Sequence, residues 1–208
     1  MKSETKIIIV DDQFTPENDP IYIVLKEKYS DVLTFGSSIK AMDELPKYFD
    51  SKIIILLDLS FPSKEPSGHI VLEKIREENK LIPVIIWSAV NENEETFSDL
   101  INNGAFGFLK RDASIADTLK ILEEADNYIN SSVSSALEDW INSHPKDDRD
   151  SPYMVTVEGK ELTLNELLKE VRLQTQLGRS FSKKLNKLTI DLLLRKKENL
   201  DDLSDSSF

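Results

Sequence analysis

Short apolar runs alternate with longer segments that carry a helical stripe of apolar residues through the first 130 positions of the chain. The predicted strands are Lys6–Val10, Val32–Phe35, Ile53–Leu57, Pro83–Trp87 and Phe106–Leu109. The helical segments between and after them are Ile21–Tyr29, Ile39–Tyr48, Ile70–Ile75, Glu94–Asn102 and a stretch beginning near Ser114. Such alternation predicts an α/β domain with a doubly wound, five-stranded parallel sheet. The five consecutive aliphatic residues of Ile53–Leu57 are typical of a strand that is covered on both faces.

The helix that begins near Ser114 is longer than closure of the sheet requires. Its apolar stripe reaches Trp140, which is compatible with one continuous helix or with two helices separated near residue 131. We favour the break slightly, because serines at 131, 132, 134 and 135 lower helix propensity there. The stretch Ser143–Pro152, with proline and clustered charge, is predicted to be a linker rather than an element.

The remaining residues predict a small module of a hairpin and two helices. Tyr153–Val157 is the expected first strand, and a turn at Glu158–Lys160 leads into Glu161-Leu162. Thr163-Leu164-Asn165-Glu166 is a capping box before an apolar run. Gly178 is expected to break the chain before a second helix with the stripe Phe181, Leu185, Leu188 and Leu192, and Asp201–Phe208 is expected to be disordered. We therefore divide the chain into residues 1–128, 129–152 and 153–208.

Composition and charge narrow the class of protein. The 208 residues contain no cysteine, which excludes a disulfide scaffold and fits a reducing compartment, and no stretch is apolar enough for a membrane span, so a cytoplasmic location is expected. A net charge of −12 argues against general nucleic-acid binding. The charge is unevenly distributed, since residues 151–208 carry 10 basic and 9 acidic side chains, a net +1.

Three carboxylates follow two of the predicted strands. Asp11 and Asp12 end the first strand, and Asp58 ends the third. The carboxyl ends of neighbouring parallel strands lie at one edge of a sheet, which is where open α/β sheets bind their ligands. Three crowded carboxylates stay ionised only if a cation lies among them, and hard oxygen ligands suit Mg²⁺ or Mn²⁺. The spacing therefore predicts an acidic metal site.

Four short motifs follow one another along residues 5 to about 128: Asp11-Asp12, the segment Asp58–Pro62, the pair Ser88-Ala89, and Gly104–Leu109. In this order they resemble the motifs of a bacterial response-regulator receiver domain. Each motif is loose alone, whereas four in sequence with suitable spacing are specific. The resemblance implies the flavodoxin-like receiver fold for residues 1–128.

The resemblance also implies a chemistry, that of a phosphoprotein in a two-component system. Asp58 would accept a phosphoryl group from a histidine kinase as an aspartyl phosphate. Asp11, Asp12, Asp58 and the backbone carbonyl of Ser60 would hold Mg²⁺. Ser88 and Phe108 would be the switch residues, the hydroxyl of Ser88 moving toward the phosphoryl group and the ring of Phe108 turning inward.

One departure from the family concerns the cation after the fifth strand. The family places an essential lysine there, and counting from Gly104 puts Arg111 in that position. Lys110 is one residue earlier and needs a bulge or a register slip to point at the phosphoryl group. Arginine and lysine are not equivalent in a tight pocket. We expect Lys110 or Arg111 to make the contact, with a narrow preference for Lys110.

The function of the C-terminal module stays open between two classes. One interpretation is a protein-interaction module, binding a partner protein or self-associating through its helices. The alternative is a DNA-binding transcriptional regulator that uses a basic helix face, formed by Lys183, Lys184, Lys187, Arg195, Lys196 and Lys197. The apolar stripe from Phe181 to Leu192 suits helix pairing better than groove reading. An enzyme is not expected, because the module has no histidine, no cysteine and no acid pair in a catalytic spacing.

Overall fold

A five-stranded parallel sheet forms the centre of the first of two compact units, residues 1–135 and 136–208. The computed structural model describes residues 2–88, 99–156 and 158–204. The strands are β1 Ser3–Val10, β2 Tyr29–Phe35, β3 Ile53–Leu57, β4 Val84–Ser88 and β5 Gly107–Lys110, and their order in the sheet is β2-β1-β3-β4-β5. The predicted fold class is confirmed.

Helices cover both faces of this sheet. They are α1 Pro20–Lys28, α2 Ser38–Glu44, α3 Gly68–Glu78 and α4 Ile115–Ser131, with a 3-10 helix at Leu45–Tyr48 and a helical segment ending at Asn102. Ser37 and Ser114 accept hydrogen bonds from backbone N–H groups of the first turns of α2 and α4, as N-cap residues do.

Alternation along the strands divides the apolar residues between two cores. In β3, Ile53, Ile55 and Leu57 pack with α2 and α3, whereas Ile54 and Leu56 pack with α1 and α4. Successive side chains of a strand point to opposite faces, so an unbroken apolar run supplies both cores at once. All five residues are at most 1% exposed, so the strand is buried up to its last residue, Leu57.

The second unit contains a hairpin and helices. Its elements are α5 Val133–Asn142, which begins at the end of the first unit, α6 Lys146–Arg149, β6 Pro152–Val155, β7 Glu161–Thr163, α7 Leu164–Arg172 and α8 Gln176–Ser204. β6 and β7 pair antiparallel, and the capping box of Thr163 and Glu166 is present at the start of α7. Arg172 of α7 donates to Glu138 of α5 at 2.7 Å, a half-buried ion pair inside this unit.

Several details of the predicted elements are wrong for identifiable reasons. Tyr29 begins β2 instead of ending α1, and Pro46 accompanies the change from α2 to a 3-10 helix. Ile39 is 47% exposed, although its place in the apolar stripe predicted burial. The preferred break between α4 and α5 is present at Ser132, whose ψ of 138° is extended.

The C-terminal predictions also need correction. The expected linker contains one helical turn, α6. Gly178 lies inside α8 and does not break the chain. A side chain there would overlap the carbonyl oxygen of Glu170, so glycine at this position lets α7 and α8 approach closely. Asp201–Ser204 are helical rather than disordered. Ala89, Glu94–Ser98, Val157 and Asp205–Phe208 lie outside the described residues. Among the described helices, none is long and apolar enough to cross a membrane.

Candidate functional site

The ends of β1 and β3 bring the three predicted acids together. Val10 pairs with Leu57 in the sheet, so the residues that follow these two lie side by side. Asp58 N–H donates to the carbonyl of Val10 at 2.9 Å, and Asp11 N–H donates to Phe35 of β2 at 2.9 Å. One carboxylate oxygen from each of Asp11, Asp12 and Asp58 lies within 4.8 Å of the others. The prediction that these carboxylates share one small site is therefore met by the geometry.

Backbone hydrogen bonds set the orientation of the two buried acids. Asp58 Oδ1 accepts from the N–H groups of Leu59 and Ser60 at 2.7 and 3.3 Å. Asp11 Oδ1 accepts from Gln13 and Phe14 at 2.8 and 3.0 Å. In each carboxylate one oxygen is held by the backbone, and the second oxygen remains for the cluster. The side chains are thus pre-oriented before any ligand binds.

The donor set fits a hard divalent cation. Oδ1 of Asp12 is buried, and no group among the described residues donates a hydrogen bond to it, while Asp11 Oδ2 forms an ion pair with Arg111. A buried carboxylate oxygen that lacks a donor favours a cation beside it. Oxygen ligands from several carboxylates are what Mg²⁺ prefers in proteins. Asp12 is partly exposed, which leaves room for water as a further ligand.

The cation beside the acids is Arg111 and not Lys110. The Nη1 atom of Arg111 contacts Asp11 Oδ2 and lies 3.8 Å from Asp58 Oδ2, whereas the side chain of Lys110 is exposed. The ladder between β4 and β5 runs through the pair Ser88 and Lys110 without a bulge. The register slip that Lys110 required is therefore absent, and the narrow preference for Lys110 does not agree with this geometry. Burial lowers the pKa of Arg111 from its ordinary value.

The remaining predicted residues lie around this cluster. Ser88 ends β4 and is buried, and its carbonyl accepts the N–H of Arg111 at 3.1 Å. Phe108 of β5 is half-buried and packs against the core that contains α2 and α3. Ser60 is exposed two residues after Asp58. These placements are compatible with the predicted roles of Ser88, Phe108 and the Ser60 carbonyl, which stay predictions.

Gly68 is a structural requirement of the site that sequence spacing did not reveal. It begins α3, and its N–H donates to the carbonyl of Leu59 at 3.0 Å. A Cβ atom at this position would overlap the carbonyl oxygen of Asp58 and lie 2.7 Å from Cα of Leu59. The backbone that carries Asp58 can therefore pass the start of α3 only because residue 68 has no side chain.

We expect Gly68→Ala to lower the free energy of unfolding by about 1–3 kcal/mol, because the added methyl group would force the backbone of Asp58 and Leu59 to shift. Urea unfolding followed by circular dichroism measures this. Gly36→Ala is the matched control, since the nearest atom to its new Cβ lies 4.0 Å away. Equal stability of the two variants would contradict the close approach.

Comparison with known proteins identifies the family. Residues 7–123 match the family described as response regulator receiver domain. The chain belongs to this family. Receiver domains are signalling modules of two-component systems, phosphorylation is typical of them, and they bind Mg²⁺ at an acidic cluster of the kind formed here by Asp11, Asp12 and Asp58. Among curated proteins, none matches the sequence.

Solved receiver domains share the fold of this receiver. A signal receiver domain from Vibrio parahaemolyticus is 21% identical with a TM-score of 0.54, and the match covers 69% of this chain and 100% of that one. A CheY-like receiver domain from Methanospirillum hungatei JF-1 is 23% identical with a TM-score of 0.52, covering 62% and 100%. CheY of Borrelia burgdorferi, in a complex with CheX, is 23% identical with a TM-score of 0.51, covering 58% and 87%.

Trp87 is the residue whose place at the site the sequence did not predict. It is 4% exposed within the core on the α1 and α4 side of this receiver. The guanidinium carbon of Arg111 also lies 4.8 Å from the centre of its ring. Trp87 of β4 pairs with Leu109 of β5, and Arg111 is two residues after Leu109. Since every second side chain of a strand points to the same face, this spacing could have placed Trp87 and Arg111 on one face of the sheet.

Proposed function

We propose that Asp58 is the phosphoacceptor of this receiver, phosphorylated from a histidine kinase with Mg²⁺ held by Asp11, Asp12, Asp58 and the carbonyl of Ser60. One observation carries the proposal: Oδ1 of Asp58 is held by the N–H groups of Leu59 and Ser60, and its Oδ2 atom lies 3.8 Å from Nη1 of Arg111, in a cluster with the carboxylates of Asp11 and Asp12. That arrangement presents a single nucleophilic oxygen at the carboxyl edge of the sheet. CheY of Borrelia burgdorferi was solved with BeF3 and Mg²⁺, which supports the same ligands here.

In this proposal the residues of the chain position and neutralise the reacting groups. Asp58 Oδ2 attacks phosphorus, the bond from phosphorus to the donor breaks, and the leaving group retains that electron pair. The guanidinium of Arg111 offsets negative charge on the phosphoryl oxygens. Bound Mg²⁺ would supply further charge neutralisation. The hydroxyl of Ser88 then donates to the acyl phosphate, and Phe108 follows as the switch residue.

Incubation of the full chain with acetyl phosphate tests the proposal. We expect intact-mass spectrometry to show a gain of one phosphoryl group in the presence of MgCl2 and loss of the label after hydroxylamine, which cleaves acyl phosphates. Excess EDTA should suppress the gain, because the cluster then lacks its cation. A label that is insensitive to EDTA would contradict the metal part of the proposal.

We propose that the second unit provides a protein-interaction output. In the described part of α8, Leu188, Ile190, Leu192 and Leu194 are 52–59% exposed. Exposed apolar side chains on a helix are typical of surfaces that pair with another helix. The partner is either another protein or a second copy of this chain. A signalling module with such an output needs no catalytic activity of its own. A cytoplasmic location is usual for receiver domains.

DNA binding is the second candidate, and one observation favours it. Lys183, Lys184 and Lys187 are exposed on α8, while the side chains of Arg195, Lys196 and Lys197 lie outside the described residues. Binding to random duplex DNA at increasing NaCl distinguishes the two outputs, because phosphate contacts give a steep salt dependence. We expect no binding of the phosphorylated chain at low salt. Binding that weakens steeply with salt would instead support the transcriptional regulator.

A further inference from the structure

Arg111 makes contacts with three residues that belong to separate strands or strand ends. Its Nη1 atom is paired with Asp11 Oδ2 and lies 3.8 Å from Asp58 Oδ2, and its guanidinium carbon lies 4.8 Å from the ring centre of Trp87. The side chain is 24% exposed. A planar guanidinium can stack on an aromatic face and pair with a carboxylate at its edge at the same time, which an ammonium does less well.

Trp87 is a rigid support for this cation. It is buried in β4, and its ring lies 5.6 Å from the ring of Phe14 at an angle of 59°. Phe14 in turn donates its backbone N–H to Asp11 Oδ1 at 3.0 Å. The indole is therefore fixed by the same loop that orients Asp11. If Arg111 moves away from Asp11, the environment of the Trp87 indole changes while the ring itself stays in place.

We propose that Arg111, stacked on Trp87, is a tethered cation that competes with the divalent ion for Asp11, and that Trp87 is the positioning residue that keeps it there. This inference rests on the metal site proposed above. Asp11, whose Oδ2 atom pairs with the guanidinium, also belongs to the cluster that would bind the ion. Metal binding therefore weakens or displaces the ion pair, and the protein binds Mg²⁺ less tightly than its three acids alone would allow.

Titration with MgCl2 at constant ionic strength tests the competition. The chain has two tryptophans, so Trp140→Phe leaves Trp87 as the single fluorescence reporter, and calorimetry gives the Kd independently. We expect Arg111→Gln to bind Mg²⁺ roughly tenfold more tightly, because a charge opposing the ion is removed from the partly buried site. The matched control is Lys110→Gln, which removes the same charge from the exposed neighbouring residue and should change the Kd less than about twofold.

A double-mutant cycle tests the role of Trp87. Loss of a cation–π contact at a partly buried position corresponds to roughly a three- to tenfold change, so Trp87→Leu should tighten Mg²⁺ binding by about that factor in calorimetry. In the Arg111→Gln background the same substitution should leave the Kd unchanged, because no guanidinium remains to be held. A tryptophan that only packs would produce the same change in both backgrounds.

The outcomes separate this inference from the proposed function. Tighter binding by Arg111→Gln and not by Lys110→Gln supports the tethered cation. Equal shifts in the two variants, or weaker binding by Arg111→Gln, would overturn it while leaving the metal site intact. Absence of Mg²⁺ binding in every variant would overturn both. If Trp87→Leu does not fold, the Arg111→Gln and Lys110→Gln pair still decides whether the cation competes.

Discussion

Asp58→Asn is expected to abolish phosphorylation of the chain by acetyl phosphate. The substitution keeps the size and shape of the side chain, and an amide oxygen can still accept the N–H groups of Leu59 and Ser60. What is lost is the anionic oxygen that faces the cluster, so no acyl phosphate can form. The fold should survive, because the variant changes no apolar contact and the backbone bond to Val10 is retained. Intact-mass spectrometry with MgCl2 present measures the result.

Asp112→Asn is the matched control for this experiment. Asp112 is an exposed carboxylate next to Arg111, so the control makes the same Asp-to-Asn change near the site at a residue outside the cluster. We expect it to label to the same extent as the parent chain. A hydroxylamine-sensitive label that persists in Asp58→Asn would place the acceptor elsewhere and end the proposed function.

Asp12→Ala is expected to weaken Mg²⁺ binding by a factor of roughly 10 to 100. Loss of even an indirect partner of a metal site typically costs that much affinity, and here the substitution removes a buried carboxylate oxygen that has no hydrogen-bond donor among the described residues. Isothermal titration calorimetry with MgCl2 measures the change directly. Labelling by acetyl phosphate should slow in parallel, because the phosphoryl group loses part of its charge neutralisation.

Glu17→Ala controls for charge in that titration. Glu17 is exposed on the same loop after β1, so its loss changes the net charge equally without removing a member of the cluster. Only a small change in Kd is expected, since an exposed charge is screened by salt. An unchanged Kd in Asp12→Ala would mean that the cation, if bound, is held by other groups.

Much of the fold could be predicted because its signals are local. The run Ile53–Leu57 has no polar interruption, which is typical of a strand covered on both faces, and Asp58 is the residue that follows its end. The same reasoning at β1 placed Asp11 and Asp12 beside it. The three acids of the site could therefore be predicted from the ends of the predicted strands alone, without any tertiary contact.

The parts that sequence could not settle depend on tertiary contacts. Gly178 reads as a helix breaker by propensity, whereas inside the second unit it permits the approach of α7 and α8. Tyr29 fits a helical stripe, but it pairs with β1 as the first residue of β2. The choice between Lys110 and Arg111 depended on whether the last ladder contains a bulge, which adjacent residues do not encode. Packing decided each of these cases.

The division of β3 between two cores links the helices on both sides of the sheet to a single carboxylate. Ile55 and Leu57 pack with α2 and α3, and Leu56 packs with α1 and α4, so both helical layers contact the strand that ends at Asp58. Interiors packed at crystal-like density pass strain onward instead of absorbing it. We therefore expect a ligand that displaces either helical layer to shift the carboxylate of Asp58 without contacting it.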